Sequence, residues 1–309
     1  MGTFQRIALA GLVAVATSAP ALAADLLPPP PMAPVPVPVV EVVSGWYLRG
    51  DVGVGSQEID KIDGLDVVKD GGSFWRKSLA DTAFVGVGVG YQFNNFLRFD
   101  VTGEYRTSAK FDVSDKFVYN TTFYTIPDGI PYDGIKQLTN RYTGDLQTSV
   151  FLANAYFDLG TWYGITPFVG GGVGVAYHRI RNGFDTGLHY NYTAGYAGSA
   201  FPANESTGGT LLDRTKSDLA WAVHAGLAYA VTPNLKLELA YRYLNMGHAE
   251  SGKLVCGGIC QSNVSYPPLK LKDIDSHDIK IGMRWLLGSP APVAVAEPVP
   301  VPVPLVRKY

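Results

Sequence analysis

Few residues in this chain stand in a pattern that a reaction would need. The densest chemistry is a set of charges at alternate positions: Arg49, Arg98, Arg106, Lys236, Arg242, Lys280 and Arg284 against Asp51, Asp100, Glu104, Glu238 and Asp278. Such a set can line a selective channel, or its members can pair and fill a polar interior. His178 and His224 fall on the same parity as the charges, but no ordered nucleophile–base set accompanies them, so packed, hydrogen-bonded histidines are the better reading. His189 lies near Tyr190, Tyr192 and Tyr196, which could stack on a flat ligand such as haem. The plainer reading, preferred here, is that aromatics and glycines stabilise exposed loops. No cofactor and no catalytic residue is therefore assigned. Cys256 and Cys260 are the only cysteines, in Cys-Gly-Gly-Ile-Cys. In an exported chain the pair reads as a disulfide closing a small loop. Zinc would need further ligands, and only His248 is near, so no metal is assigned. Gly86-Val87-Gly88 and Gly170-Gly171-Gly172 are not followed by a helix, as a dinucleotide site requires.

The charges owe their spacing to the elements that carry them. From Asp218 to Leu244, Leu219, Trp221, Val223, Ala225, Leu227 and Tyr229 share one parity before Thr232-Pro233-Asn234. After that turn Leu235, Leu237, Leu239, Tyr241 and Tyr243 do the same, opposite Lys236, Glu238 and Arg242. This is a β-hairpin with one apolar and one polar face. Charges and glycines on the second face suit a small, polar, wet interior, and aromatics at the ends of the apolar row suit a membrane interface.

The same alternation marks eight strands. The first is Gly45 to Ser56, with Trp46, Leu48, Val52 and Val54 outward, and the second is Asp81 to Phe93. The third sets Leu97, Phe99, Val101 and Tyr105 against Arg98, Asp100, Glu104 and Arg106. The fourth, about 145–159, is blurred by Val150 and Leu152 on the face that also holds Asn154 and Asp158. The fifth alternates Val169, Val173, Val175 and Tyr177 with Gly170, Gly172, Gly174 and His178. The hairpin supplies two more, and Ser276 to Leu287 is the last. Short connections after Phe93, Leu159 and Val231 alternate with long loops at about 57–80, 107–144, 179–217 and 246–275. An even strand number with short turns on one side and long loops on the other is the pattern of an outer-membrane barrel. It places both termini in the periplasm.

The ends of the chain agree with export. Arg6, the apolar run Ile7 to Ala16 and Ala21-Leu22-Ala23 read as a signal peptide over 1–23, leaving a mature start at Ala24-Asp25. No later apolar run approaches the ~20 residues of a spanning helix. Seven prolines between Pro28 and Pro38 make 24–44 a polyproline spacer whose nineteen positions from Leu26 to Ser44 reach roughly 60 Å. A second proline-rich tail occupies 289–309, and the barrel lies between, at 45–288. Removing Arg6 from 25 basic residues leaves 24 against 27 acidic ones, so nothing suggests nucleic acid.

With these features in place, the chain resembles the small outer-membrane β-barrel proteins of alphaproteobacteria, within the group sharing the OmpA/OmpX-type barrel. The likeness rests on Gly45-Trp46-Tyr47-Leu48-Arg49-Gly50-Asp51-Val52-Gly53, Asn154-Ala155-Tyr156-Phe157-Asp158-Leu159-Gly160, Pro167-Phe168-Val169-Gly170-Gly171-Gly172 and Leu239-Ala240-Tyr241-Arg242-Tyr243. It implies an all-β, eight-stranded antiparallel transmembrane barrel in a Gram-negative outer membrane, surrounded by lipid and lipopolysaccharide. Gly282-Met283-Arg284-Trp285-Leu286-Leu287 looks like the signal read by the barrel-assembly machinery, although the chain runs on past it. The peptidoglycan-binding domain of full-length OmpA is missing. Related barrels are implied to be cross-linked to peptidoglycan through an N-terminal Ala followed by Asp. Ala24-Asp25 is either that attachment or simply what signal peptidase leaves. The expected function is structural and non-enzymatic, in envelope integrity and surface interaction. A narrow porin or haem-binding barrel is the alternative, and a lipid-modifying enzyme a lesser one.

Overall fold

Alternation of outward valines and leucines with inward glycines and charges builds fourteen strands in the computed structural model, which describes residues 44–65, 71–124, 129–193, 205–257 and 265–288. In chain order they are β1 (Gly45–Gly64), β2 (Ser73–Leu79), β3 (Thr82–Gln92), β4 (Leu97–Arg106), β5 (Ala109–Tyr124), β6 (Pro131–Asp158) and β7 (Ile165–Thr193). There follow β8 (Glu205–Leu211), β9 (Arg214–Ala230), β10 (Leu235–Asn245), β11 (Ala249–Glu250), β12 (Leu254–Gly257), β13 (Ser265–Tyr266) and β14 (Leu269–Leu286). The signal, both proline-rich tails and Ala24-Asp25 lie outside the described residues.

Eight strands close a ring in the order β1, β3, β4, β6, β7, β9, β10, β14, every neighbour antiparallel. Partners traced once round from Tyr177 run through Ser149, Tyr105, Val85, Val52, Ile281, Leu239 and Leu227 to Pro167, ten positions back on the starting strand. That stagger tilts the strands by roughly 40°. Closure leaves no backbone edge facing outward through the belt, the condition for strands to lie in lipid.

The outward rows are apolar. Val54, Val87, Leu219 and Ile281 all face out, Leu219 at 67% exposure, and an apolar belt of this size on a globular protein would be an interaction surface. On β7 the row from Ile165 to Tyr177 covers roughly 40 Å of strand, or about 30 Å of height at that tilt. Trp46, Phe93, Phe96, Trp162, Tyr229 and Trp285 ring the belt at the end with the short turns. Tyr105, Tyr177, Trp221 and Tyr241 stand at the other edge. A band of about 25 Å between aromatic girdles is the outer-membrane arrangement. Both ends of the ring, Gly45 and Leu286, lie at the turn end.

The long connections are largely strand rather than loop. β1 carries its alternation on to Gly64, with Gln57 and Ile59 buried and Glu58 and Asp60 exposed, pairing with β14 as far as Gly64↔Leu269. β5 continues the course of β4 along β6, from Tyr105↔Ser149 below to Ala109↔Leu146 above. β7 runs to Thr193, so the backbones of His189, Tyr190 and Tyr192 belong to a strand; Tyr196 lies outside the described residues. The sequence suggests loops here because these segments are rich in small and polar residues, which have low strand propensity by themselves and are held in strands by pairing with their neighbours. β2, β5, upper β6 and β7, β8, β12 and β13 together raise a cap of sheet beyond the belt.

The interior changes character with height: the small, polar interior that the sequence suggests fills only part of it. Its turn half is charged. Its loop half, continuous with the inside of the cap, is an apolar core of Ile59, Leu79, Phe111, Val113, Val150, Leu152, Ile180, Leu211, Leu244, Leu254, Leu271 and Ile274. Val150 and Leu152 blurred the fourth strand because they belong to this core. Each such side chain contributes about 1.5–3 kcal/mol by burial.

Glycines let strand backbones approach inside the narrow ring. A Cβ at Gly174 would overlap the Phe151 carbonyl oxygen, which cannot move without breaking β6, whereas one at Gly86 would meet nothing nearer than 3.4 Å. Gly174→Ala should therefore lower stability by about 3 kcal/mol, at the upper end for overpacked sites, while Gly86→Ala changes it little. The urea midpoint of refolded protein, followed by the mobility shift between unboiled and boiled samples, checks both.

Candidate functional site

The inward row of the turn half forms two clusters. In the first, Arg49 contacts Asp51 at 2.8 Å, Asp100 at 2.7 Å and Glu238 at 3.4 Å, and donates to the Tyr156 hydroxyl at 3.0 Å. Arg98 meets Asp158 at 3.1 Å and Glu238 at 3.4 Å, and Arg284 meets Glu238 at 3.0 Å and Asp158 at 3.8 Å. In the second, Arg106 and Arg242 each reach Asp278 at 2.6 Å, and Glu104 at 3.1 and 2.8 Å. Lys280 lies 3.7 Å from Asp51. Six cations thus face six carboxylates, all buried.

Aromatic side chains fill the space between. The guanidinium of Arg98 lies 4.1 Å from the Tyr156 ring centre, those of Arg106 and Arg242 lie 4.9 and 5.0 Å from Phe84, and that of Arg284 lies 5.4 Å from Tyr47. Asp158, Tyr47 and Tyr156 were not assigned to this network from sequence, yet Tyr47 has the parity of Arg49, and Tyr156 and Asp158 that of Asn154. Lys236 is only half-buried. It lines a small cleft at the turn end with Gln92, Asn234 and Arg284, and makes no ion pair among the described residues.

The two inward histidines are engaged as packing groups. His178 Nδ1 is 3.0 Å from the Thr148 hydroxyl and Nε2 is 2.8 Å from the Met246 carbonyl. His224 Nε2 is 3.2 Å from Asn154 Oδ1, with its ring against Tyr156. No serine or carboxylate completes a catalytic set with either among the described residues. The side chains of His189, Tyr190 and Tyr192 lie outside the described residues, and with them the flat-ligand reading. Cys256 is disulfide-bonded; Cys260, the only other cysteine in the chain, lies outside the described residues.

A second polar cluster sits inside the cap. Asp115 on β5 accepts from the Asn140 amide at 3.1 Å, Asn140 Nδ2 at 2.9 Å and the Tyr142 hydroxyl at 2.8 Å. Asp185 on β7, paired in register with Tyr142, has an Oδ1 without a partner among the described residues. Burial, and then the nearby Asp115, push the Asp185 carboxyl up to about 7. Burial also raises Asp115, against its hydrogen bonds from Tyr142 and Asn140.

The chain belongs to the outer-membrane β-barrel family: the model of the outer membrane protein beta-barrel domain matches residues 7–285. Within it, the chain is one of the small eight-stranded barrels of Gram-negative outer membranes. An uncharacterised protein of Brucella abortus (strain 2308) is 29% identical over 311 residues, spanning 90% of this chain and 96% of its own length. Outer membrane protein PagN of Salmonella typhimurium is 23% identical over 169 residues, 54% of this chain and 59% of that protein. The solved neisserial surface protein A aligns with 79% of this chain and 99% of its own, at 16% identity and a TM-score of 0.40.

Two predictions follow from the buried charges. Glu238→Ala strips Arg98, Arg284 and Arg49 of a shared partner and should cost about 3–5 kcal/mol. Lys236→Ala, at the rim, should cost no more than about 0.5 kcal/mol; urea titration of both variants in lipid vesicles makes the comparison. For Asp185, the folded state keeps a proton that the unfolded chain releases above pH 3.8. The contribution of this group to stability is therefore greatest below that pH, falls as pH rises, and is lost above about 7. Asp185→Asn should raise the melting temperature in micelles at pH 8 and leave it nearly unchanged at pH 4.

Proposed function

We propose that the protein is a structural outer-membrane barrel that supports envelope integrity, presents its cap to the cell exterior and is tethered to peptidoglycan through Ala24. The observation that carries the structural reading is the twofold filling of the interior. The paired charges occupy the turn half, and the apolar core occupies the loop half and the cap above it. An interior of eight strands is only wide enough for side chains, and here those side chains leave a solute no polar route from end to end. The engaged histidines support a role without catalysis.

The orientation rests on the connections. Short turns belong to the periplasmic side and long extensions to the outside, which supports a periplasmic position for Gly45 and Leu286 and, with them, for the proline-rich segments of the sequence. From there the polyproline spacer has the reach to bring Ala24 to the cell wall. In planar bilayers the purified protein should give no conductance steps, and regular single-channel openings would remove the structural reading in favour of a pore. Lysozyme digestion of purified sacculi should release Ala24 peptides bearing a wall fragment; recovery of free Ala24 alone would end the tether.

A further inference from the structure

The outer face of the cap holds an open cavity of about 640 Å³ that the packing of the wall does not require. Above the belt β2 leaves β1 and pairs with β5, and its register shifts between Phe74 and Arg76. Trp75 is the extra residue of that bulge. A bulge re-aims the side chain it carries, and this one leaves the indole 62% exposed at the edge of the cavity. Every other tryptophan of the ring stands in the belt or its girdles.

The rest of the lining is mixed: Ser114 on β5, Thr139 and Arg141 on β6 and Thr186 on β7 are polar, Leu188 on β7 is an exposed apolar side chain, and Arg76 lies beside the indole. The Thr139 and Thr186 hydroxyls donate to the carbonyls of Leu188 and Arg141 at 3.5 and 3.4 Å, which leaves their oxygens free to accept. Ser114 makes no side-chain hydrogen bond among the described residues. Arg141 holds Asp112 through two bonds at 3.0 and 2.6 Å, and Arg76 approaches the same carboxylate at 3.9 Å. Among the described residues, two guanidiniums therefore share one acid, a local surplus of positive charge.

An exposed indole above a floor of hydroxyls and guanidiniums meets the two needs of a sugar. One face of a pyranose ring is apolar and lies on an aromatic plane, while its rim donates and accepts hydrogen bonds. A lipid chain or a flat aromatic ligand would leave the hydroxyls and guanidiniums of the lining without partners. The volume falls within the range of small-ligand sites, about 300–1,000 Å³. We propose that the Trp75 cavity binds a short acidic oligosaccharide, its ring on the indole and its carboxylate or sulfate group on Arg76 and Arg141. The site goes beyond the structural role above and stands whether or not the tether does.

The test uses the full mature chain refolded in micelles, with folding of each variant verified by gel mobility. Titration calorimetry is run with trigalacturonic acid, a sulfated heparin tetrasaccharide, neutral maltotriose and a lipid-free acidic O-polysaccharide. At least one acidic saccharide should bind, and more tightly than maltotriose. Trp75→Ala should weaken it by roughly tenfold or more, Trp75→Phe should keep most of it, and Arg76→Gln should narrow the preference for acid over neutral sugar. Binding of O-polysaccharide alone would locate the ligand on the bacterium's own surface; binding of the uronic or sulfated oligomers alone would locate it on a foreign one. Either supports the site. No binding by any of the four, equal affinity for maltotriose, or an affinity indifferent to Trp75→Ala would overturn it.

Discussion

The mutual neutralisation of six cations and six carboxylates inside a narrow cylinder is the constraint to which the rest of this structure answers. A buried ion that loses its partner is strongly destabilising, so each of these side chains must be met by an opposite charge from a particular strand at a particular height. Arg49 on β1 meets Asp100 on β4 and Glu238 on β10, and Arg106 on β4 meets Asp278 on β14. Those pairs cross the lumen. They hold only with the observed strand stagger, since sliding a strand by one residue would turn its charges toward lipid.

Placing the ions in the turn half leaves the loop half to ordinary hydrophobic packing. Above the belt the outside is water, and the cap can be built as a soluble sheet is: apolar within, charged without. Lys110, Lys116 and Arg141 face out while Phe111, Val113 and Tyr142 face in. The same cap can therefore carry surface features that the membrane belt cannot, such as an indole on a bulge.

The membrane strands were legible in the sequence because lipid demands an unbroken outward row, and Leu219 to Tyr229 supplies one without exception. The extensions were not, because water makes no such demand: Gln57 and Ile59 alternate with Glu58 and Asp60, which a loop tolerates as well. Parity sorted the inward charges from the outward residues, yet it carries no information about height. That is why Lys236, on the right parity, stands at the rim, and why Asp158, on the same parity as Asn154, joins Arg98 and Arg284. The division of the lumen into charged and apolar halves showed only as a blemish at Val150 and Leu152. Trp75 left no trace, since a bulge interrupts the very period by which strands are recognised.

One pairing bears on time rather than on stability. Seven of the ring's contacts join strands that adjoin or nearly adjoin along the chain, but β1 zips to β14 from Tyr47↔Leu286 to Gly64↔Leu269. Contacts so remote in sequence are slow to form, and here the earliest strand made has to wait for the last. Until then β1 has no second neighbour and the chain cannot close, so most of the protein's life before insertion is spent with sticky edges in need of escort.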